Sequence, residues 1–231
     1  MAGLIVGLAF TGCEEDGFRP CVRGNGGIRS EGRALAEFRS IDHRLDGNIE
    51  VKKGPSRIVI EGYDNQLTEV RTSVSSGRLV IDSDRCLRNT EFSIVVYTPE
   101  FDELKLAGTK NGNVEAGFSA PEMRFELSGS GCITAAGTAE RVRAKVSGSG
   151  DITIVGTTGA FRSDISGSGD IHSFGLTATT VDVNVSGSGS VETTVSERLE
   201  ANISGSGKVY YKGNPPTVNS NISASGKVIR Q

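Results

Sequence analysis

The chain has 231 residues, of which 36% are hydrophobic and 23% are charged, and its formal net charge is −3. This length fits one or two domains, and the charge gives no basic footprint for nucleic acid. The chain contains 31 glycines and no tryptophan. That composition favours a narrow, turn-rich β architecture, and no apolar stretch approaches the length of a membrane-spanning helix.

Residues 1–12 are predicted to be a signal peptide, because the apolar run Leu4–Phe10 is followed by Thr11-Gly12-Cys13. This pattern resembles a bacterial lipoprotein signal, in which Cys13 carries the lipid that anchors the mature chain to a membrane. No Lys or Arg precedes the run, and the run is short for a signal peptide. We therefore expect the true start to lie upstream of Met1. A chance apolar N-terminus with a free cysteine is the alternative.

Residues 13–27 are predicted to form the lipidated terminus and a glycine-rich linker. Glu14, Glu15 and Asp16 directly follow Cys13. An acidic run at this place resembles the surface-export signal of Bacteroidetes lipoproteins. It fits a solvated tether equally well.

Residues 28–105 are predicted to be a β-rich region, because short alternating segments are separated by turn residues such as Asp46-Gly47 and Gly54-Pro55. The region lacks an obvious repeat. It fits either a separate antiparallel β domain or irregular turns of the coil predicted for residues 106–231. The predicted strands are 38–41, 48–52, 57–61, 70–74, 79–82 and 92–98.

Four cysteines are present, and an exported chain meets an oxidising compartment. Cys21 and Cys86 lie outside the predicted strand cores. We expect them to form a disulfide, which would close a loop of about 65 residues and contribute ~4 kcal/mol in the chain-entropy model. Two free buried thiols are the alternative. Cys132 is expected to be an unpaired thiol, and no Cys or His spacing indicates a metal site.

Residues 106–231 contain an internal repeat. Copies related to Val146-Ser147-Gly148-Ser149-Gly150-Asp151 begin at Leu127, Val146, Ile165, Val185, Ile203 and Ile222, at intervals of 18 to 20 residues, and residues 106–114 resemble a degenerate first copy. A fixed period with a glycine-serine turn is typical of a solenoid. Hairpins would also use such turns, but they would not impose one register on six successive copies.

Alternation within each copy predicts which side chains face the interior, because successive strand residues point to opposite sides. The predicted fold is therefore all-β, with a parallel β-helix of about six 19-residue rungs in the C-terminal half. The predicted interior positions before the turns are Met123, Phe125, Leu127, Val142, Ala144, Val146, Val181, Val183, Val185, Leu199, Ala201 and Ile203. After the turns they are Ile133, Ala135, Ile152, Ile154, Val191, Thr193, Val209 and Tyr211.

The repeat copies also carry a family resemblance, together with Val209–Pro215, Cys21–Gly26 and Phe38–Ile41. The chain resembles the bacterial family described as "putative auto-transporter adhesin, head GIN domain", which is common among Bacteroidetes lipoproteins. The resemblance covers nearly all the chain after residue 20. It implies an envelope protein whose role is binding.

The sequence offers little for catalysis or cofactors. Positions equivalent to Asp151 and Asp170 are Lys208 and Lys227 in later copies, which excludes a calcium ladder of the β-roll type. The two histidines, His43 and His172, are expected on a strand surface or rim, outside any activating motif. No catalytic residue, metal or cofactor is therefore predicted.

One outward face is a candidate ligand surface. Arg124, Arg143 and Arg162 occupy equivalent positions in consecutive copies, and stacked like charges are unfavourable unless something offsets them. The repulsion is offset either by a salt-bridged surface that includes Glu126 and Asp164, or by an anionic ligand such as an acidic glycan.

Three asparagines also occupy equivalent positions in consecutive copies: Asn184, Asn202 and Asn221. They are predicted to stack as an amide ladder, as in other parallel sheets.

These observations predict an exported outer-membrane lipoprotein, periplasmic or surface-exposed, that is a non-catalytic scaffold for protein or glycan binding. A periplasmic protein that contacts other envelope proteins is the second hypothesis. A β-helix enzyme acting on polysaccharide is the third, and it would need a pair of carboxylates at catalytic spacing. No such pair recurs in the repeats.

Overall fold

The computed structural model describes residues 20–231 and is nearly all β, with 72% strand and 2% helix. Between residues 103 and 230 the strands form a β-solenoid of about seven turns at a spacing of ~19 residues, which confirms the predicted fold class. The count exceeds six because the degenerate first copy forms a turn of its own. The strands are β1 (Val22–Arg23), β2 (Ile28–Ala34), β3 (Ser40–His43), β4 (Gly47–Lys53), β5 (Arg57–Tyr63), β6 (Val70–Ser75), β7 (Arg78–Ser83), β8 (Leu87–Arg88), β9 (Phe92–Thr98), β10 (Glu103–Gly108), β11 (Gly112–Gly129), β12 (Cys132–Gly148), β13 (Asp151–Gly167), β14 (Ile171–Gly187), β15 (Ser190–Ile203), β16 (Lys208–Lys212), β17 (Thr217–Ile222) and β18 (Lys227–Arg230).

Equivalent residues of successive turns are direct partners in a parallel sheet. Val142 on β12 pairs with Met123 on β11 and with Phe161 on β13, and the column continues through Val181 and Leu199. Each of these five side chains is at most 2% exposed. The predicted interior positions are all buried except Tyr211, which is half-buried. The interior is therefore a set of apolar columns that run along the solenoid.

The turn glycines also form a column, in which Gly129, Gly148, Gly167 and Gly187 are register partners. Their φ angles lie between +141° and +149°, a region that side chains rarely adopt. A Cβ atom on Gly167 would overlap the carbonyl oxygen of Gly148 in the turn below. Glycine is required here both for the backbone angle and for the close approach of two main chains.

Residues 28–105 contain both parallel and antiparallel strand pairs, two possibilities between which the sequence did not decide. β3 and β4 pair in parallel with β10 and β11, so they continue the coil below the repeats. β5 is antiparallel to β2 and β9, and β6 is antiparallel to β7. The helix α1 (Asp64–Leu67) lies between β5 and β6. Within residues 20–231, no helix is long and apolar enough to cross a membrane.

The part of the predicted glycine-rich linker that the structure describes, residues 20–27, is attached to the rest of the protein. Cys21 and Cys86 form a disulfide with their Cα atoms 4.5 Å apart, and β1 pairs with β8 beside it. Gln66 Nε2 donates to the carbonyl oxygens of Val22 and Arg88 at 3.0 and 2.9 Å. These bonds attach the start of the described chain to the N-terminal end of the coil. The predicted signal peptide, Cys13 and the acidic run lie outside the described residues.

The expectation that His43 lies on a surface is wrong. His43 is fully buried, on the same side of β3 as Ile41, and its Nε2 lies 2.9 Å from the carbonyl oxygen of Gly47. Burial lowers the pKa of His43, because the charged imidazolium would lose its hydration. His43 is therefore a neutral core residue. His172 is partly exposed, as expected.

The glycine column generates a test. Gly167→Ala should destabilise the protein by about 3 kcal/mol, because the φ angle at this position is nearly restricted to glycine. For a chain of this size, that loss lowers the melting temperature by roughly 6–12 °C. Gly32→Ala is the matched control, since nothing lies within 4 Å of a Cβ built on Gly32. Thermal unfolding of both variants checks the prediction. Equal melting temperatures would show that the turns tolerate a side chain.

Candidate functional site

The three arginines of the predicted ligand face stand in one column. Arg124, Arg143 and Arg162 are register partners on β11, β12 and β13, and all three are exposed. Each has a carboxylate neighbour. Arg124 bonds to Glu122, Arg143 Nε lies 2.8 Å from Glu122 Oε1, and Arg162 Nε lies 3.0 Å from Asp164 Oδ2. Salt bridges therefore offset much of the repulsion within the column.

The strand β12 carries positive charge that these salt bridges do not neutralise. Arg141, Arg143 and Lys145 alternate along it and all point outward. Among the described residues, Arg141 and Lys145 have no carboxylate within 4 Å of their cationic nitrogens. We call Arg124, Arg141, Arg143, Lys145 and Arg162 the cationic patch.

The carboxylates around the patch are too few to neutralise it. Glu122, Glu126 and Asp164 lie among its five cations, and Glu126 is already paired with Lys105 at 3.0 Å. A hydrogen bond from Arg124 lowers the pKa of Glu122, and the charges of Arg143 and Arg141 act in the same direction. Glu122 therefore stays ionised at neutral pH. The patch nevertheless keeps an excess of positive charge.

Two open depressions border the cationic patch and share Arg124. One, of about 310 Å³, is lined by Glu126, Arg143, Lys145 and Asp164 together with the backbone near Phe125 and Ala144. The other, of about 290 Å³, lies beside Pro121, Glu122 and Arg124 on β11. Its lining residues include Arg39, Arg78, Asp102, Glu103 and Arg141. Both are shallow and polar, which suits a solvated polymer better than an enclosed small molecule.

Beyond β13 the arginine column changes sign. Arg162 pairs in register with Asp182, and Asp182 with Glu200. Arg198 lies 3.6 Å from Asp182 and 2.9 Å from Glu200, so these acids are bound in a local salt bridge. They do not form a carboxylate pair that is free for acid–base chemistry.

No catalytic or metal constellation emerges among residues 20–231. His172 Nδ1 lies 3.0 Å from Glu192 Oε2, which is the one side-chain hydrogen bond of His172 among the described residues. No group of three His, Cys, Asp or Glu side chains in that part of the chain is placed to hold a metal ion. Cys132 is a free, exposed thiol.

The aspartates of the repeat serve the backbone. Asp151 Oδ1 accepts the amide N–H of Asp170 at 3.0 Å, and Asp170 Oδ1 accepts that of Ser190. Asn111 does the same for Cys132. Where the column carries another residue, the next amide N–H bonds instead to a glycine carbonyl, as Lys208 does to Gly189 at 3.2 Å. This second option explains why cysteine, serine and lysine are tolerated in the column.

The three asparagines stand in one column, and two of them share an amide hydrogen bond. Asn184, Asn202 and Asn221 are register partners on β14, β15 and β17. Asn202 Nδ2 donates to Asn184 Oδ1 at 3.2 Å, and Asn184 Nδ2 donates to Asp164 Oδ1 at 2.9 Å. Hydrogen bonds therefore connect Asp164, the salt-bridge partner of Arg162, to Asn184 and Asn202 on the next two strands.

Sequence reasoning missed Arg141 as part of the surface. The predicted column of arginines runs from strand to strand along the solenoid axis. The excess positive charge runs in the other direction, along the single strand β12. The alternation Arg141-Val142-Arg143-Ala144-Lys145 contained the signal, because period 2 places all three cations on one side.

Comparisons with known proteins agree with this architecture. The family model described as "Putative auto-transporter adhesin, head GIN domain" matches residues 37–215. Among curated proteins, none matches the chain significantly.

Three solved structures share the fold. A putative adhesin from Bacteroides fragilis has a TM-score of 0.86 at 21% identity, over 91% of this chain and 100% of its own. A "putative lipid binding protein" from Parabacteroides distasonis has a TM-score of 0.75 at 21% identity, over 92% and 100%. A putative adhesin from Parabacteroides merdae has a TM-score of 0.67 at 19% identity, over 91% and 98%.

Proposed function

The chain belongs to the family described as "Putative auto-transporter adhesin, head GIN domain", and we propose that it is a non-catalytic binding scaffold of the bacterial cell envelope, whose cationic patch binds an acidic glycan. The observation that carries the proposal is the row of Arg141, Arg143 and Lys145 on one rigid strand, two of them without a carboxylate partner. The names of the solved relatives with this fold support a binding role.

The geometry suits a polymer with repeated negative charges. Residues i and i+2 of a strand lie roughly 6.6 Å apart, so the three cations span about 13 Å along β12. An extended chain with a carboxylate or sulfate on each sugar can meet several of them together. The interaction is solvent-exposed, so salt screens it, and affinity comes from several weak contacts.

The binding test reverses only the two charges of the patch that have no carboxylate partner. Arg141→Glu combined with Lys145→Glu should weaken binding to polygalacturonate or heparin about ten-fold or more, a loss of ~1.4 kcal/mol or more. Arg23→Glu with Arg88→Glu is the matched control, because these are also two neighbouring exposed arginines. Retention on the immobilised polysaccharides and on neutral dextran, at low and high salt, is the measurement.

The ligand proposal fails if the wild-type chain binds neither acidic polysaccharide, or if the patch variant binds as well as the control. Degradation of either polysaccharide by the wild-type chain would contradict the non-catalytic role.

We also propose that the protein is an outer-membrane lipoprotein anchored through Cys13 and exposed at the cell surface. The disulfide at Cys21 supports this arrangement, because it ties the segment that follows the anchor to the end of the coil. Seven turns at about 4.8 Å would extend roughly 34 Å from that end. The cationic patch would then lie partway along the rod, away from the membrane.

Protease treatment of intact Bacteroidetes cells tests the location, using a C-terminally tagged chain expressed from its native upstream start. Surface exposure predicts cleavage on whole cells, and protection when Glu14, Glu15 and Asp16 are replaced by alanine. Cys13→Ala should release the protein from the membrane fraction. Protection of the unaltered chain until the outer membrane is opened would instead place it in the periplasm, in contact with other envelope proteins.

A further inference from the structure

An open groove runs along the solenoid axis beside the cationic patch. Its volume is about 370 Å³, and two columns of polar side chains form its sides. One is the asparagine column, and the other contains the serine that lies two residues later in each turn. Val185 and Ile203 lie between the columns with their side chains buried, so the main chain forms the floor. We call this depression the neutral groove, and its sides are Asn184, Asn202, Asn221, Ser166, Ser186 and Ser204.

The charges of the groove are confined to the end that it shares with the cationic patch. Among its lining residues the charged side chains are Lys145 on β12 and Asp164 on β13. The carboxylate of Asp164 is already bound, because Arg162 Nε donates to its Oδ2 at 3.0 Å and Asn184 Nδ2 donates to its Oδ1 at 2.9 Å. Neutral amides and hydroxyls line the remaining length. A ligand with a negative charge on every sugar would meet no cation there.

The amides and hydroxyls of the groove keep hydrogen-bonding capacity for a ligand. An asparagine side chain has two N–H donors and an acceptor oxygen. Asn184 and Asn202 each use one N–H within the column, to Asp164 Oδ1 and to Asn184 Oδ1. Asn202, Ser166 and Ser186 are exposed. The groove therefore offers donors and acceptors of the kind that pair with sugar hydroxyls and with the amide of an N-acetyl group.

We infer, building on the proposed function, that the neutral groove binds uncharged sugars of the same glycan whose acidic group is held by the cationic patch. Register partners are about 4.8 Å apart, so the groove extends roughly 19 Å from Lys145 to Asn221. An extended oligosaccharide of several sugars covers that length with its carboxylate near Lys145. The ligand is then a glycan in which an acidic sugar borders a run of neutral ones, and a uniformly charged polymer uses the patch alone.

Defined oligosaccharides test the groove on the full chain. N-acetylchitopentaose oxidised at its reducing end carries one carboxylate followed by neutral N-acetylated sugars. It should bind about ten-fold or more tightly than gluconate, which carries the carboxylate alone, as measured by isothermal titration calorimetry. The unoxidised pentasaccharide should bind about three-fold more weakly than the oxidised one, because it lacks the solvent-exposed ion pair. Lys145→Glu should remove that difference.

Bulky substitutions in the serine column separate the groove from the rest of the face. Ser186→Tyr should reduce the affinity for the oxidised pentasaccharide to that for gluconate, because the ring fills the groove. Ser204→Tyr in the next turn should do the same. Ser128→Tyr is the matched control, since Ser128 is exposed and stands in the same column on β11, outside the groove. Retention on polygalacturonate should be unchanged in all three variants.

The outcomes distinguish the groove from the cationic patch. If Ser186→Tyr and Ser204→Tyr bind the oxidised pentasaccharide as tightly as Ser128→Tyr does, while the wild-type chain is retained on polygalacturonate or heparin, the groove takes no part. The inference is then wrong and the proposed function stands. If the wild-type chain is retained on neither polysaccharide, the proposed function fails and the inference fails with it.

Discussion

The contact on which the structure depends is the approach of one main chain to the next at the glycine turns. A Cβ atom on Gly167 has no room above the carbonyl oxygen of Gly148, and the same holds for the glycines above and below. This close fit fixes where each turn begins. Because strand side chains alternate with period 2, fixing the turn fixes which residues are inside. The apolar columns and the surface columns are both consequences of that register.

The register also explains how charge is distributed. It stacks identical positions about 4.8 Å apart, so a charge repeated in the sequence becomes a column in the structure. The column through Arg124, Arg143 and Arg162 persists because Glu122 and Asp164 interleave with it. On β12 the one acid, Glu140, stands against Arg141, Arg143 and Lys145, so positive charge remains. Residues 201–231 contain four Lys and Arg side chains and no Asp or Glu.

Much of this followed from the sequence because the repeat is redundant. Six copies with one phase predicted the parallel coil, and all the interior positions named from that phase are buried except Tyr211. Residues 28–105 offered a single copy of each element, so β2, α1 and the attachment of residues 20–27 through Gln66 were not foreseen. His43 was misplaced although it lies two residues after Ile41, a spacing that puts both side chains on the inward side of β3.

The most direct test of the stacked register is a distance along one column. Lys105 and Asn202 are joined through five consecutive register pairs, by way of Glu126, Lys145, Asp164 and Asn184. Spin labels at Lys105→Cys and Asn202→Cys, with Cys13 and Cys132 replaced by alanine, should give a narrow distribution centred near 24 Å. A chain of hairpins would place two strands in each repeat and give about 48 Å. A distribution at that distance, or one without a defined centre, would contradict the parallel coil.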